Sequence, residues 1–274
     1  MCRMPRLLAT CALAALLTSG AAALAADAKP TAAPQPAPSV AAQPKPASAQ
    51  DRIEAQRLPP LGRAAFWARE VDVDERDPVA GANLANALRG LGRIDEAQAA
   101  ADKVLIVHPA DLDALLEAAR ARLAQGQGFY AIDLAKRAQM VAPKDWRPLT
   151  LLAIACEQSE RDAEALAAHR AAVTLAPDQA APLANLAMFQ AGQGDLATAE
   201  TLLRQAVTLK GAGAPVRLNL ALVLGLRGEL AEAEALSRQD LPPDQAASNI
   251  AWLRAATAKP SAGRSYEGVT RAGS

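Results

Sequence analysis

The sequence predicts an all-α protein, a solenoid of about five helical hairpins with an N-terminal half-repeat and a C-terminal capping helix. The main observation is that two sets of five alanines recur in register about 34 residues apart, a period typical of helical repeat arrays. Around them, apolar residues recur at helical spacing. The alanines are Ala85, Ala119, Ala153, Ala187 and Ala221 in the first set, and Ala97, Ala131, Ala165, Ala199 and Ala233 in the second.

The first full repeat, residues 78–111, shows how each hairpin is predicted. Leu84 and Leu88 lie on one face of a first helix, which Gly92 ends because glycine tolerates the left-handed conformation of a C-terminal cap. A second helix begins near Ile94. It ends before Pro109, because proline restricts the residue that precedes it.

The same end signals recur in the later repeats. Gly126, Gly194 and Gly228 repeat Gly92, with Glu160 at that position in the third repeat, and Pro143 and Pro177 repeat Pro109. The in-register alanines are expected where helices cross, because small side chains allow helix axes to approach at the short end of about 8–10 Å.

The two ends of the array depart from the repeat. Residues 61–71 match the second helix of a half-repeat, with Pro59-Pro60 expected to block a first helix. After the fifth repeat, Pro242-Pro243 opens a short helix. Asp244 or a neighbour is expected to cap that helix, and Trp252 to cover the last apolar edge.

The N-terminal residues have the pattern of a secretory signal peptide over residues 1–25. Arg3 and Arg6 precede an apolar stretch, Leu7 to Leu17, that is too short to span a bilayer, and Ala23-Leu24-Ala25 is a small-residue cleavage site. Export to the periplasm is therefore expected, with a retained membrane anchor as the alternative. The stretch Leu8 to Cys11 is a poor lipobox, which leaves lipidation at Cys11 open.

The remaining boundaries follow from composition. Residues 26–57 are rich in alanine and proline and predict a disordered, semi-rigid linker. Residues 58–256 are predicted to form the solenoid domain, and residues 257–274 are small and polar and predict a disordered tail.

Composition and motifs argue against several classes of function. A formal net charge of +0 and a pI near 6.8 disfavour a nucleic-acid partner. The histidines and the cysteine left after signal cleavage have no ligand spacing, so no metal, cofactor, catalytic residue or small-molecule substrate is predicted, and the protein is not expected to be an enzyme. His169 and Cys156 are expected to be packed in the core, and His108 to lie in a loop.

Two glycine-rich strings resemble a dinucleotide-binding fingerprint but are interpreted as turns. They begin at Gly126 and Gly192, and each follows a predicted helix rather than the strand that a true fingerprint requires.

The repeats resemble the tetratricopeptide repeat family, whose signature positions are occupied by Leu84, Ala85, Leu88, Gly92, Ala97, Val104 and Pro109. This resemblance implies a concave groove, lined by the first helices, that binds protein segments. Ordinary polar surface is the alternative. A chaperone-tail receptor is disfavoured, because the lysines that clamp a terminal carboxylate are missing. The groove positions so implied are Asn83, Asn86, Arg89, Glu117, Arg120, Asn185 and Asn219.

The C-terminal stretch is similar to Flp pilus assembly proteins of the TadD type. The similarity lies in the order of Val216 to Leu224, Gly228 to Glu234, Asp240 to Pro243 and Ala247 to Arg254. It implies a periplasmic scaffold of a tight-adherence pilus machine, near the outer membrane, with the secretin or another component as partner and with membrane contact only through a lipid anchor or partners. The alternatives are a general periplasmic scaffold in cell-envelope or cytochrome biogenesis and, remotely, an enzyme regulator or hydrolase.

Overall fold

The computed structural model describes residues 45–258, and within them the chain forms thirteen helices and no strand. The predicted signal peptide, residues 26–44 of the predicted linker and residues 259–274 of the predicted tail lie outside the described residues. The helices are α1 (Ala49–Ala55), α2 (Pro60–Val73), α3 (Pro78–Gly90), α4 (Ile94–Val107), α5 (Leu112–Ala124), α6 (Gly128–Val141), α7 (Trp146–Gln158), α8 (Asp162–Leu175), α9 (Ala180–Gly192), α10 (Leu196–Ala206), α11 (Ala214–Leu226), α12 (Leu230–Ser237) and α13 (Pro243–Thr257).

Five hairpins, from α3–α4 to α11–α12, stack in chain order, so the predicted all-α solenoid is confirmed. The ten in-register alanines are at most 2% exposed. They lie at the helix contacts, where a larger side chain would force the axes apart.

The predicted hairpin turns have left-handed backbone. Gly92, Gly126, Gly194 and Gly228 all have positive φ, and Glu160 takes the same conformation with φ of 57° in the third hairpin. Glycine adopts this region without cost, whereas a side chain makes it unfavourable. The glycine strings that begin at Gly126 and Gly192 are therefore parts of hairpin turns.

Aspartates that recur in the repeat register cap the first helices of the first three hairpins. The side chains of Asp77, Asp111 and Asp145 accept hydrogen bonds from backbone N–H groups in the first turns of α3, α5 and α7. The N-cap residues of α9 and α11 are Gln179 and Gly213, and neither has a capping side-chain bond. The helices α3, α5 and α7 therefore each begin with a cap that typically contributes about 1 kcal/mol.

The N-terminal end requires a correction, because α1 lies inside the segment predicted to be a disordered linker. Ser48 forms a capping box with Asp51 at the start of α1, and Ala55 at its end is 2% exposed. Pro59-Pro60 does not prevent a preceding helix. Pro59 is the N-cap of α2 and Pro60 its first residue, where a missing N–H costs nothing.

The C-terminal helix also differs from the prediction. Pro242, not Asp244, is its N-cap residue, and no side chain caps it. Trp252 is 61% exposed, whereas Leu253 is buried. Leu253 fills the space beside Gly225, where an added Cβ would overlap the leucine Cδ1. The leucine therefore closes the core at this end and the tryptophan faces outward.

Among residues 45–258, none of the helices combines the length and apolar character needed to cross a membrane.

Candidate functional site

The repeat register places two rows of side chains along the first helices. The first row contains Asn83, Glu117, Leu151, Asn185 and Asn219, and the second row contains Asn86, Arg120, Ile154, Met188 and Leu222. Three residues separate the rows on each helix, so both lie on one side of it. These rows include six of the seven predicted groove residues.

Glu117 of α5 is the centre of a polar cluster in the first two hairpins. Its side chain is 6% exposed. Asn86 Nδ2 donates to Glu117 Oε1 at 3.0 Å, and Arg89 Nε donates to Oε2 at 2.8 Å. Arg120, one turn further along α5, also donates to Oε1. The carboxylate therefore joins α3 to α5.

The environment of Glu117 favours its ionised form. Burial raises the pKa of this carboxyl. The hydrogen bonds from Arg89 and Asn86, with the positive charges of Arg120 and Arg89, more than offset burial and leave the pKa below its ordinary value. Glu117 is therefore an anion at neutral pH, and it orients two guanidinium groups.

A cleft of about 240 Å³ opens beside this cluster. Arg147 of α7 reaches it and is held by Asp145, whose Oδ2 accepts from Arg147 Nε at 2.8 Å. Arg120 and Arg147 keep 29% and 40% of their side-chain surface exposed, so both can donate further hydrogen bonds. The cleft is lined by Gln56, Ala82, Asn83, Asn86, Asp113, Glu117, Arg120 and Arg147.

The amide of Asn83 is already engaged within the chain. Its Oδ1 accepts from Gln56 Nε2 at 2.7 Å, and its Nδ2 donates to the Val79 carbonyl at 2.8 Å. Gln56 directly follows α1, so the N-terminal segment closes one end of the cleft. A ligand that binds Asn83 has to compete with Gln56.

The predicted groove residues thus divide into two groups. Asn83, Asn86, Glu117 and Arg120 line one cleft, and Arg89 joins them through its hydrogen bond to Glu117. Asn185 and Asn219 are half-buried on α9 and α11, away from that cleft, and within residues 45–258 their side chains make no hydrogen bond.

Three polar residues of the cleft were not foreseen: Gln56, Asp113 and Arg147. Asp113 and Arg147 occupy equivalent positions in successive repeats and carry opposite charges. That register signal could have identified them, because equivalent residues of neighbouring first helices lie on the same face of a solenoid. Gln56 lies outside the repeat and has no such signal.

The second row changes character along the solenoid. Asn86 and Arg120 are polar, whereas Ile154, Met188 and Leu222 are apolar and only half-buried. The first-helix face therefore passes from a polar cleft to partly exposed apolar side chains.

The other reactive side chains are packed as the sequence predicts. His169 is 1% exposed, and its Nε2 lies 2.5 Å from Glu157 Oε1. Cys156 is also buried, and burial, with the nearby charge of Glu164, raises the pKa of its thiol, which makes it a poor nucleophile. Within residues 45–258, no three His, Cys, Asp or Glu side chains are grouped in a way that could hold a metal ion.

A family model described as "Tetratricopeptide repeat" matches residues 78–103, 180–205 and 214–239. These matches coincide with the hairpins α3–α4, α9–α10 and α11–α12. No curated protein has a significantly similar sequence.

Solved structures show the same architecture. The tetratricopeptide repeat protein TTC0263 of Thermus thermophilus is 25% identical with a TM-score of 0.59, and the match covers 64% of this chain and 98% of that one. A tetratricopeptide repeat protein of Parabacteroides merdae is 13% identical with a TM-score of 0.61, over 74% and 79%. Pseudomonas aeruginosa PilF is 20% identical with a TM-score of 0.52, over 67% and 94%.

Four observations indicate the same fold: the register of small residues, the left-handed turns, the matched repeats and the structural neighbours. The described part of this chain has the fold of a tetratricopeptide-repeat solenoid, an architecture that presents an extended surface for binding.

Proposed function

We propose that the protein is a periplasmic scaffold that binds an extended or helical segment of a partner along its first helices. The observation that carries this proposal is the cleft around Glu117, together with the half-buried apolar residues that follow it in the second row. Arg120 and Arg147 offer guanidinium donors at one end, and Met188 and Leu222 offer apolar surface at the other. The fitting ligand has acidic or carbonyl groups where it meets Arg120 and Arg147, and apolar side chains where it meets Met188 and Leu222.

We further propose that this partner is a component of a Flp or tight-adherence pilus machine, with the secretin as first candidate. The support is the C-terminal order of residues, Val216 to Arg254, which is similar to pilus assembly proteins of the TadD type. The likeness to PilF concerns the fold. The proposed location rests on the signal-peptide pattern of residues 1–25, and association with the outer membrane on the same resemblance.

Co-purification from the envelope of the native host tests both statements. The tagged full-length chain is expected to retain the secretin or another pilus component. Arg120→Ala and Met188→Glu should each reduce that recovery, because one removes a donor from the cleft and the other places a charge among the apolar side chains. Arg170→Ala is the matched control, since Arg170 is exposed on a second helix.

The two statements fail in different ways. Recovery of a protein unrelated to secretion or pili would reject the pilus proposal and favour a general envelope or cytochrome-biogenesis scaffold. Equal recovery by the wild type, Arg120→Ala and Met188→Glu would reject the first-helix face as the binding site.

A further inference from the structure

The short helix α1 is held to the solenoid by a few polar contacts and by one buried alanine, Ala55. It has seven residues, and Ile53 is 58% exposed. A helix of this length does not persist alone in water, so α1 depends on the surface that it contacts. The contacts are concentrated at Arg52 near its middle and at Ala55 and Gln56 at its end.

Arg52 inserts into a site that we name the arginine socket, formed by Trp67, Glu70 and Asp77. Its Nε and an Nη atom donate to Glu70 Oε2 at 3.0 and 2.8 Å, and the Nη atom lies 2.7 Å from Asp77 Oδ2. The guanidinium carbon lies 5.9 Å from the centroid of the Trp67 ring. Two carboxylates and an aromatic face thus surround one cation.

The buried carboxylate of Glu70 makes the arginine socket a binding site for a cation. Its side chain is 0% exposed, and its two oxygens also accept from the Ala47 backbone N–H at 3.1 and 3.0 Å. A buried carboxylate without a cation is strongly unfavourable. The socket therefore requires a cation, and its forked geometry suits arginine better than lysine.

The socket is linked to the candidate groove. Ala55 packs with Trp67 and Ala80, and the next residue, Gln56, bonds to Asn83 at the edge of the cleft. A partner segment that reaches Asn83 competes with Gln56 for the same amide oxygen and lies next to the socket.

We infer that α1 is an internal ligand, and that an arginine-bearing segment of a protein partner displaces it from the arginine socket. The partner supplies the cation that Glu70 and Asp77 need, stacked on Trp67, and it gains Asn83 when Gln56 leaves. This rests on the proposed function, since it assumes that the groove receives a protein segment. It adds two points to that function. The partner is recognised through an arginine, and α1 occupies the site until the partner binds.

A fluorescein-labelled peptide with the sequence of residues 45–58 tests the inference on the full-length protein. The wild type should bind it weakly, because tethered α1 occupies the socket at an effective concentration on the order of millimolar. Arg52→Ala removes the internal cation, so this chain should bind the peptide about tenfold or more tightly than the wild type does. Arg57→Ala is the control, since Arg57 is exposed and outside the socket.

Two further measurements separate recognition from loss of structure. The peptide carrying Arg52→Ala should not bind the Arg52→Ala chain, and the peptide carrying Arg52→Lys should bind it more weakly than the native peptide. Amide exchange in the Arg52→Ala chain should accelerate at residues 49–55 and stay unchanged in α5 to α9, which shows that α1 alone is released.

Several results would overturn the inference. Equal peptide binding by the wild type and Arg52→Ala chains, or no binding by either, would show that the socket is not a receptor site. Dimerisation of the wild type that Arg52→Ala abolishes would assign the socket to a second copy instead of a partner. None of these measurements uses a pilus component. Their outcome therefore tests the socket independently of the co-purification, which tests the proposed function.

Discussion

The two ends of the solenoid are held together in different ways. In the N-terminal region, α1 to α5, the clustered buried apolar residues of α1 to α4 lie in small separate clusters, whereas several of α5 join a larger cluster that extends to α9. Two buried carboxylates of this region, Glu70 and Glu117, bridge helices through arginines. In the C-terminal region, α9 to α13, one continuous apolar cluster runs from Ala180 to Leu253. Ion pairs there lie mainly on exposed second helices, as in Arg204 with Glu232.

This difference suits the two regions to different roles, one to binding a partner and the other to stabilising the fold. Buried polar groups such as Glu70 and Glu117 are costly, and they also supply oriented donors and acceptors to a partner. Apolar burial gives stability without specificity, and exposed ion pairs such as Arg204–Glu232 add little. We therefore expect the C-terminal region to hold the array together and the N-terminal region to recognise the partner. Four substitutions test this comparison, and they follow in order of expected effect.

The largest expected effect is on the C-terminal cluster. Leu203 is 0% exposed, so Leu203→Ala removes buried methyl groups and leaves a cavity, with a loss of about 2–5 kcal/mol in the free energy of unfolding. Chemical denaturation measures it. Leu61→Ala is the control at the N-terminal end, because Leu61 is 69% exposed. If both substitutions cost the same, the C-terminal cluster is not the main apolar core.

The next effect comes from the alanine register. Ala199 is 0% exposed, and Ala199→Leu forces extra volume into the C-terminal cluster, at a cost of about 1–3 kcal/mol. Ala197→Leu is the control, because Ala197 is exposed on the same helix. A thermal melt showing no loss for Ala199→Leu would contradict the packing role assigned to the in-register alanines.

Much of this fold is readable from the sequence because its signals are local. Helical periodicity, the small residues at crossings and the glycine turns act within one repeat. They predicted the hairpins and the burial of His169 and Cys156. The end helices depend on distant residues instead. Arg52 orders α1 only because Glu70 and Asp77 lie opposite, and Leu253 replaces Trp252 in the core because Gly225 leaves space for it.

The candidate site also combines features that local repeat signals indicate with features that depend on distant residues. The family resemblance named five groove residues that lie at or beside the cleft around Glu117, because equivalent positions of neighbouring first helices lie on the same face of the solenoid. It also placed Asn185 and Asn219 in one groove with that cluster, and the structure leaves them outside the cleft. Gln56 could not be predicted, since its contact with Asn83 arises from the docking of a segment that no repeat describes.

A smaller, pH-dependent effect is expected in the N-terminal region at Glu117. Its pKa is lower in the folded chain than the ordinary 4.5, so its charge stabilises the fold above that value and the contribution is lost as pH falls through the folded pKa. Glu117→Gln should cost about 1–2 kcal/mol at pH 7, because Arg89 and Arg120 lose their shared anion. This difference from the wild type should shrink as the solution becomes acidic.

Denaturation at several pH values between neutral and acidic measures the stability difference between Glu117→Gln and the wild type. Glu96→Gln is the control, since Glu96 also has a pKa lowered by an arginine but lies exposed beside Arg93. It should change stability less at every pH. A constant difference between Glu117→Gln and the wild type across the range would mean that the carboxylate charge does not bridge α3 and α5.

The smallest effect has the opposite sign and lies between the two regions. Glu160 joins α7 to α8 with φ of 57°, where the other hairpins have glycine. Left-handed backbone costs a side-chain-bearing residue about 1–2 kcal/mol, and glycine loses about 0.5–1 kcal/mol more in chain entropy, so Glu160→Gly should stabilise by about 0.5–1 kcal/mol. Gly126→Ala, the reverse change at the equivalent turn, should destabilise. If the melting temperatures of both variants shift in the same direction, this turn does not share the geometry of the other hairpin turns. The repeat would then be irregular between the N-terminal and C-terminal regions.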